Sequence, residues 1–262
     1  MGMIRRALRI FGLLLGLLVC VPLHYAWKLA GAKSPWPRRF LFWVGWVAGI
    51  RLRIEGTYKR TNTLFVANHA TWLDIMIIGG TTGAAFVAKE ELKGSRFVHW
   101  LASLNDSIWI QRSDRKGVHG QAEQVRKALE SGRAVCFFPE ATTKGGREIL
   151  PFRASLFASL YPPIPGLVVQ PIAIDFGDKH HVVAWGDESG AAVTNRILSH
   201  KGTVPTRMVF LEPLVPSAEM DRKKLALTAR EMIVEALDSP TDAPANPILS
   251  LEAREPALYP PR

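Results

Sequence analysis

Cysteine and tyrosine are scarce in this chain, with two and four residues among 262. Cys20 lies in an apolar stretch, Cys136 lies in a predicted buried strand, and neither has a second cysteine at metal-ligand spacing. A disulfide scaffold and a cysteine-ligated zinc site are therefore disfavoured. The chain also lacks the G-x-S-x-G, H-E-x-x-H and Walker A patterns, which disfavours serine-hydrolase, zinc-protease and P-loop chemistry.

Acidic residues are outnumbered by basic ones. There are 33 lysines and arginines against 23 aspartates and glutamates, which gives a formal net charge of +10 and a pI near 9.9. Such an excess suits nucleic acid, an anionic membrane surface or acidic substrates. Because the globular part has no recognisable module of basic and aromatic residues, no nucleic-acid partner is expected.

The N-terminal residues favour the membrane among these partners. Three arginines within the first nine residues precede an apolar run, 10–27, whose length is near the lower limit for a spanning helix. A second segment, 36–50, is too short to span, and its tryptophans and arginines are typical of an interfacial helix. We expect residues 1–50 to form a membrane-anchoring helix pair, monotopic or re-entrant; whether 10–27 spans or lies in the membrane stays open. A cleaved secretory signal ending near residue 32 is the rival interpretation.

From residue 51 the pattern alternates between strand-like and helix-like segments. This predicts an α/β domain over 51–238 with a single mixed, largely parallel sheet flanked by helices, followed by a Pro-rich disordered tail over 239–262. The predicted strands are Thr63–Ala67, Ala84–Ala88, Ser107–Ile110, Ala134–Phe138, Val168–Ile174, Val182–Trp185 and Arg207–Leu211. The predicted helices are Trp72–Gly79, Glu91–Leu104, Val118–Ser131, Phe152–Leu160 and Asp221–Leu237, the last with Leu225, Ala229, Met232 and Ala236 on one face.

Polar side chains follow three of the predicted strands at the point where each strand ends. The first strand is followed by Asn68-His69, the third by Gln111-Arg112 and the fourth by Pro139-Glu140. Reactive groups of open α/β sheets gather at the carboxyl ends of strands, so these side chains are expected at one edge. Histidine is the side chain best suited by its pKa to accept a proton near neutral pH.

Asp74 lies one helical turn beyond His69, which suits a carboxylate that orients an imidazole. Thr71-x-x-Asp74 also fits a capping box, in which Asp74 is structural, and the two roles are compatible. Arg112 by itself is typical of a solvated charge. On the residues alone, His69 is a candidate base or an ordinary hydrogen-bonded histidine.

Four blocks of the sequence resemble, in order, the motifs of the lysophospholipid acyltransferase family. They are Asn68-His69 with Asp74, Ile110-Gln-Arg112, Phe138-Pro-Glu140 and Val169-Gln-Pro171-Ile-Ala-Ile174. The resemblance implies that His69 is the general base on the acceptor hydroxyl, that Asp74 orients it, and that the freed oxygen attacks the thioester of acyl-CoA or acyl-carrier protein. It implies no metal, no other cofactor and no acyl-enzyme. A non-catalytic lipid-binding membrane protein is the alternative from another class.

The third block departs from the family pattern. The family continues it as Glu-Gly-Thr-Arg, whereas this chain has Glu140-Ala-Thr-Thr143, so the arginine expected at a glycerol-phosphate site is missing. Lysophosphatidic acid is ranked first as acceptor, with phosphatidic acid as product, and lyso-ornithine lipid or another lysolipid is the alternative. Because both acyl donors are cytosolic, the inner membrane with a cytoplasmic catalytic domain is expected. The predicted substrate-binding residues are Asn68, Lys89, Arg112, Glu140, Thr142, Thr143 and Lys144.

Overall fold

The computed structural model describes residues 2–89, 96–110, 118–145 and 147–239. Arg112 and the predicted disordered tail from residue 240 onward lie outside the described residues, as does the predicted start of the second helix at Glu91.

One seven-stranded sheet forms within these ranges, in the order β1-β7-β6-β2-β5-β3-β4. β6 and β7 pair antiparallel, and the other neighbouring pairs are parallel. The predicted mixed, largely parallel α/β sheet is thus confirmed. The strands are β1 Ile50–Glu55, β2 Thr63–Ala67, β3 Ala85–Lys89, β4 Ile108–Ile110, β5 Val135–Phe137, β6 Val168–Asp175 and β7 Val204–Phe210.

Helices cover both faces of the sheet. They are α1 Gly2–Leu29, α2 Trp36–Ala48, α3 Leu73–Thr82, α4 Arg96–Leu104, α5 Val118–Glu130, α6 His180–Val183, α7 Gly190–Ser199 and α8 Arg222–Asp238, with 3₁₀ turns at Ala154–Leu160 and Gly177–Lys179. Alternate side chains of β2 enter two cores, because successive residues of a strand point to opposite faces. Phe65 packs in the core with α3, α6 and α7, whereas Leu64 and Val66 pack in the core with α5 and α8.

The glycine pair in α3 lets α2 approach closely. A Cβ on Gly80 would lie 2.6 Å from the backbone nitrogen of Phe42, and one on Gly79 would lie 2.6 Å from the Leu41 side chain. The glycine-rich sequence at 79–83 is therefore a helix-packing surface at the end of α3.

Two sequence-based assignments are wrong, and one strand was missed. Val182–Trp185 is not a strand: Val182 and Val183 belong to α6, because a short apolar run does not distinguish a buried strand from a buried helical turn. The buried face of α8 contains Ile233, whereas Met232 is partly exposed. The missed strand is β1, which begins two residues after the end of α2.

α1 is long and apolar enough to cross a membrane. Its most apolar 18-residue window has a mean hydropathy of 2.0 and is 11% buried within the protein. The helix packs on α2 through Gly12 and Gly16, which contact Val47 and Trp43. Its outer face is a stripe of exposed apolar side chains at helical spacing, at Ile4, Leu8, Phe11, Leu15, Leu18, Tyr25 and Leu29.

Candidate active site

The carboxyl ends of parallel β2, β5 and β6 meet at one edge of the sheet. β2 is followed by Asn68-His69 and β5 by Phe138-Pro139-Glu140, as the sequence predicts. The fourth block lies in β6, directly beside β2. The first, third and fourth of the resembling blocks therefore converge, whereas the second block, Ile110-Gln-Arg112, is described only at Ile110.

His69 is held by the carboxylate of Asp74. Its Nδ1 lies 2.9 Å from Asp74 Oδ2, and its side chain is 19% exposed whereas that of Asp74 is fully buried. An ionised carboxylate only accepts hydrogen bonds, so the ring proton belongs on Nδ1 and the lone pair on Nε2. The nitrogen that is free of Asp74 is thus the one able to accept a proton.

Asp74 also organises the backbone that carries His69. Its Oδ2 accepts hydrogen bonds from the backbone N–H groups of Ala70 and Thr71, at 2.8 and 2.9 Å. The capping box is not formed in its usual way, because the Thr71 hydroxyl has no partner among the described residues and α3 begins at Leu73. Asp74 at the first turn therefore ties the loop 69–71 to α3.

Phe138 fixes the plane of the imidazole. The two rings stack with centroids 3.9 Å apart and an interplanar angle of 13°. Phe86 of β3 stacks behind Phe138 at 6.2 Å. With Asp74 on its Nδ1 edge and Phe138 on its face, the His69 ring has little rotational freedom.

Both polar atoms of the Asn68 side chain form hydrogen bonds with the backbone of the neighbouring strand β6. Its side-chain amide donates to Ile174 O at 2.9 Å and its oxygen accepts from Ile174 N at 2.8 Å. The residue is 5% exposed. Asn68 therefore stitches the end of β2 to β6, an arrangement that holds the following histidine in place.

Glu140 bridges the base and the loop that follows. One carboxylate oxygen accepts the backbone N–H of His69 and the other accepts that of Leu150, both at 2.8 Å. Burial raises the pKa of Glu140 above its ordinary value of 4.5, the two backbone donors act in the opposite direction, and the charge of Asp74 adds to the rise. Glu140 is only 5% exposed, and both of its carboxylate oxygens face backbone N–H groups of the protein.

The 141–150 loop carries the residues predicted to bind the acceptor. Ala141 has a φ of 65°, in the left-handed region that favours glycine. Thr142 and Lys144 are exposed and Thr143 is partly exposed. Arg147, further along the same loop, donates a hydrogen bond to the carbonyl of Gly177.

Two other predicted site residues are only partly located. Lys89 ends β3, at the same edge of the sheet as His69, but its side chain lies outside the described part of the chain, and so does Arg112. The buried Cys136 thiol lies on β5, and burial, reinforced by the charge of Asp74, raises its pKa far above the ordinary value. A thiol held neutral in this way is a poor nucleophile.

Several supporting residues were missed because no local pattern identifies them. Arg230 of α8 donates to the carbonyls of Ile149 and Leu150, at 2.6 and 3.1 Å, and so fixes the far end of the 141–150 loop. The backbone N–H of Trp185 donates to Ala70 O at 2.8 Å. Both contacts join segments that are far apart in sequence, so only the tertiary structure discloses them.

The groups that converge at this edge suit proton transfer by an oriented side chain. Within the described ranges, no group of three or more His, Cys, Asp or Glu side chains is placed to hold a metal. What converges is one oriented imidazole, partly open to solvent, beside a polar loop. Such an imidazole can act as a general base on a hydroxyl group of a second molecule.

Comparison with known proteins identifies the family. Residues 50–175 match the family model described as Acyltransferase. The lyso-ornithine lipid O-acyltransferase of Pseudomonas aeruginosa is 30% identical over 249 residues, which covers 88% of this chain and 92% of that protein. The 1-acyl-sn-glycerol-3-phosphate acyltransferase of Neisseria gonorrhoeae is 34% identical over 129 residues, covering 48% of this chain and 46% of that protein.

A solved structure has the same fold. The crystal structure of the 1-acyl-sn-glycerophosphate (LPA) acyltransferase PlsC from Thermotoga maritima matches with a TM-score of 0.64 and 19% identity, covering 90% of this chain and 96% of that one. The family model and the sequence relatives confirm the resemblance found in the sequence motifs. The chain belongs to the lysophospholipid acyltransferase family and is an acyltransferase.

Proposed function

We propose that this protein transfers a fatty acyl group from acyl-CoA or acyl-carrier protein to the free hydroxyl of a lysolipid, with His69 as the general base. The observation that carries the mechanism is the His69–Asp74 contact at 2.9 Å, which directs the imidazole lone pair away from the carboxylate. His69 Nε2 takes the proton of the acceptor hydroxyl, the hydroxyl oxygen attacks the thioester carbonyl, and the thiol leaves with a proton. Orientation of the two substrates supplies much of the remaining rate enhancement.

For the acceptor we favour lyso-ornithine lipid. An ornithine headgroup carries an amine and a carboxylate and has no phosphate, which suits a loop with Thr143 where the family pattern has arginine. The relatives that align over most of this chain act, by name, on lyso-ornithine lipid. This reverses the ranking drawn from the sequence motifs. Lysophosphatidic acid is the second candidate, because the Neisseria relative is named a 1-acyl-sn-glycerol-3-phosphate acyltransferase and is 34% identical over 129 residues.

An acceptor panel tests this proposal. Purified protein is given radiolabelled palmitoyl-CoA or palmitoyl-carrier protein with lyso-ornithine lipid, lysophosphatidic acid or lysophosphatidylethanolamine. We expect acylation of lyso-ornithine lipid with the highest kcat/KM. Efficient acylation of lysophosphatidic acid alone would overturn the choice of acceptor, and no acylation of any lysolipid would overturn the proposed reaction.

Thr143→Arg sharpens the same assay. A guanidinium at this position gains a bidentate partner only in a phosphate-bearing acceptor, so kcat/KM for lysophosphatidic acid relative to lyso-ornithine lipid should rise about tenfold. Thr57→Arg adds the same charge at an exposed threonine just after β1, at the opposite edge of the sheet, and is the matched control. An unchanged acceptor preference in Thr143→Arg would show that residue 143 does not contribute to selection of the acceptor headgroup.

The expected location is the inner membrane, with the catalytic domain facing the cytoplasm and α1 lying along the membrane surface. Support comes from contacts along α1. Arg5 and Arg9, near its start, donate hydrogen bonds to the catalytic domain, and the ring of Trp27, near its end, packs edge-on against the ring of Trp36 with centroids 6.0 Å apart. Single cysteines at Gly2 and Ala32, in a background without Cys20, test this by labelling with a membrane-impermeant maleimide. Labelling of both from the cytoplasmic side agrees with a monotopic anchor, whereas labelling from opposite sides would show that α1 spans.

A further inference from the structure

The first arginines of the chain bind the protein itself. Arg9 donates to Ile197 O at 2.7 Å and to Gly202 O at 3.0 Å, and Arg5 donates to Ser199 O at 3.1 Å. These carbonyls belong to the last turn of α7 and to the turn that leads into β7. Arginines that precede an apolar helix are ordinarily interpreted as ligands of lipid headgroups. Here Arg5 and Arg9 instead donate hydrogen bonds to backbone oxygens of the protein.

The end of α7 is a suitable partner for cations. The last carbonyls of a helix have no partner within the helix, and the helix dipole places partial negative charge there. Burial and the neighbouring positive charges lower the pKa of His200, the residue after α7. Arg5 and Arg9 thus add positive charge at this terminus, beside Arg196 of the last turn.

The site around Arg9 is shaped for a guanidinium. Gly49, which ends α2, has a φ of 104°, and a Cβ at this position would lie 2.8 Å from Arg9 Nη2. The planar fork of Arg9 therefore passes over a glycine and reaches two carbonyls that lie five residues apart. A lysine ammonium keeps the charge but lacks this rigid fork.

Arg196, in the last turn of α7, holds a segment that contacts the active site. Arg196 donates to Val182 O at 3.0 Å, to Ala184 O, and to the carboxylate of Glu188 at 2.5 Å. Between these points, the backbone N–H of Trp185 donates to Ala70 O, next to the candidate base. α7 is therefore bonded to the anchor helix at its C-terminal end and, through Arg196, to the edge that carries His69.

We propose that Arg5 and Arg9 are positioning residues for acyl transfer at the membrane. They lock α1 to α7 and thereby hold the His69 edge at a fixed height and angle over the bilayer surface where the lysolipid lies. The hydrogen bonds made by the guanidinium groups, beyond their charge alone, perform this task. The inference rests on acyl transfer to a membrane lipid, and it does not depend on which lysolipid is the acceptor.

Charge-preserving substitutions separate this role from lipid binding. Full-length protein carrying Arg9→Lys, or Arg5→Lys, is reconstituted in vesicles of phosphatidylethanolamine and phosphatidylglycerol and, separately, in detergent micelles. The matched control is Arg6→Lys, since Arg6 bonds only to the side chain of Asn195 among the described residues. Three quantities are measured: vesicle flotation, transfer from palmitoyl-CoA to lyso-ornithine lipid and to lysophosphatidic acid, and backbone hydrogen exchange over residues 182–202.

If Arg5 and Arg9 hold α1 against α7 as proposed, the variants should give a specific pattern of results. Arg9→Lys should float with vesicles like the wild type and keep its activity in micelles, where height over a bilayer is irrelevant. Its activity in vesicles should fall roughly tenfold, the factor expected for losing one hydrogen bond of a charged group. Hydrogen exchange at the end of α7 should increase. Arg5→Lys should show a smaller effect of the same kind, and Arg6→Lys should match the wild type.

Other patterns overturn the proposal. Wild-type activity of both Arg9→Lys and Arg5→Lys in vesicles would show that charge suffices. A loss of flotation in step with activity would make the arginines lipid ligands, and a loss of activity in micelles in both variants would make them necessary for the fold itself. If no acceptor is acylated even by the wild type, the proposed reaction fails separately, while flotation and hydrogen exchange still report whether the lock exists.

Discussion

The two sides of the active-site edge use their polar groups differently. On the side of the base, His69, Asp74 and Glu140 are tied by hydrogen bonds of 2.8 to 2.9 Å to each other or to nearby backbone. On the side of the 141–150 loop, Thr142 and Lys144 are exposed, and the Thr142 hydroxyl makes a 3.3 Å contact with the carbonyl of its neighbour.

This difference suggests how one family serves several lysolipids. A base must be held within a fraction of an ångström of its working position, so its supports are buried and tied by short hydrogen bonds. A headgroup pocket is defined by side chains that project from a loop, and these can be replaced without disturbing the sheet. The following predictions change first the fixed side and then the boundary between the two sides.

Replacing the base should have the largest effect. His69→Ala should lower kcat about a thousandfold, within the range that general base catalysis contributes. His181→Ala removes an exposed imidazole elsewhere and is the matched control. Turnover of the labelled acyl donor measures the effect, and substantial activity in His69→Ala would contradict a role as base.

Replacing the orienting carboxylate should have the next largest effect. In Asp74→Asn the amide oxygen can still accept from Ala70 and Thr71, but the group no longer specifies a proton on Nδ1 of His69. We expect kcat to fall about a hundredfold, because a base in the wrong tautomer cannot accept the proton. Circular dichroism and thermal unfolding check that the fold is retained. A loss of activity that merely follows a loss of folded protein would mean that Asp74 is structural only.

Glu140→Gln tests the boundary between the two sides. The amide keeps one acceptor oxygen and loses the other, so either His69 N or Leu150 N loses its partner. A tenfold fall in kcat is the expected order of magnitude, with a change of about 1 kcal/mol in the free energy of unfolding. If Glu140 instead binds the acceptor directly, KM for the lysolipid should rise with little change in kcat.

Comparison of the wild type with Glu140→Gln should also show a pH-dependent difference in the free energy of unfolding. The pKa of Glu140 is raised in the folded protein, so its stabilising contribution is complete below its ordinary pKa of 4.5 and is lost as the pH rises through the raised value. The stability advantage of the wild type over Glu140→Gln should therefore shrink as the pH rises above 4.5. Urea unfolding followed at a series of pH values measures this difference, and a growing advantage would contradict the raised pKa.

Ala141→Gly should have the smallest effect and the opposite sign. Relief of the left-handed backbone conformation at residue 141 should increase the free energy of unfolding by roughly 0.5 kcal/mol, after the loss of a buried methyl group is subtracted. Ala226→Gly, inside α8, is the matched control and should destabilise by about 1 kcal/mol. Equal destabilisation by both substitutions would show that residue 141 is not strained.

Some features of the site were predictable because they depend on local patterns. The apolar run Thr63–Ala67 and the helical turn after it placed His69 and Asp74 correctly relative to each other. The same local reasoning failed at Val182–Trp185, where a short apolar run became a helical turn under tertiary packing. Sequence motifs also marked Glu140 as a site residue, yet they did not indicate that its oxygens bind the backbone of residues 69 and 150.

By itself, the sequence determined the α/β alternation, the apolar N-terminal segment and the motif blocks, because backbone periodicity and nearest-neighbour spacing are properties of the chain. The tertiary structure alone decided that Asn68 joins β2 to β6, that Arg230 fixes the 141–150 loop, and that Arg5 and Arg9 bind the end of α7. Each of these is a hydrogen bond between segments tens to hundreds of residues apart. Such a bond exists only once the sheet and its packed helices have brought the donors and acceptors together.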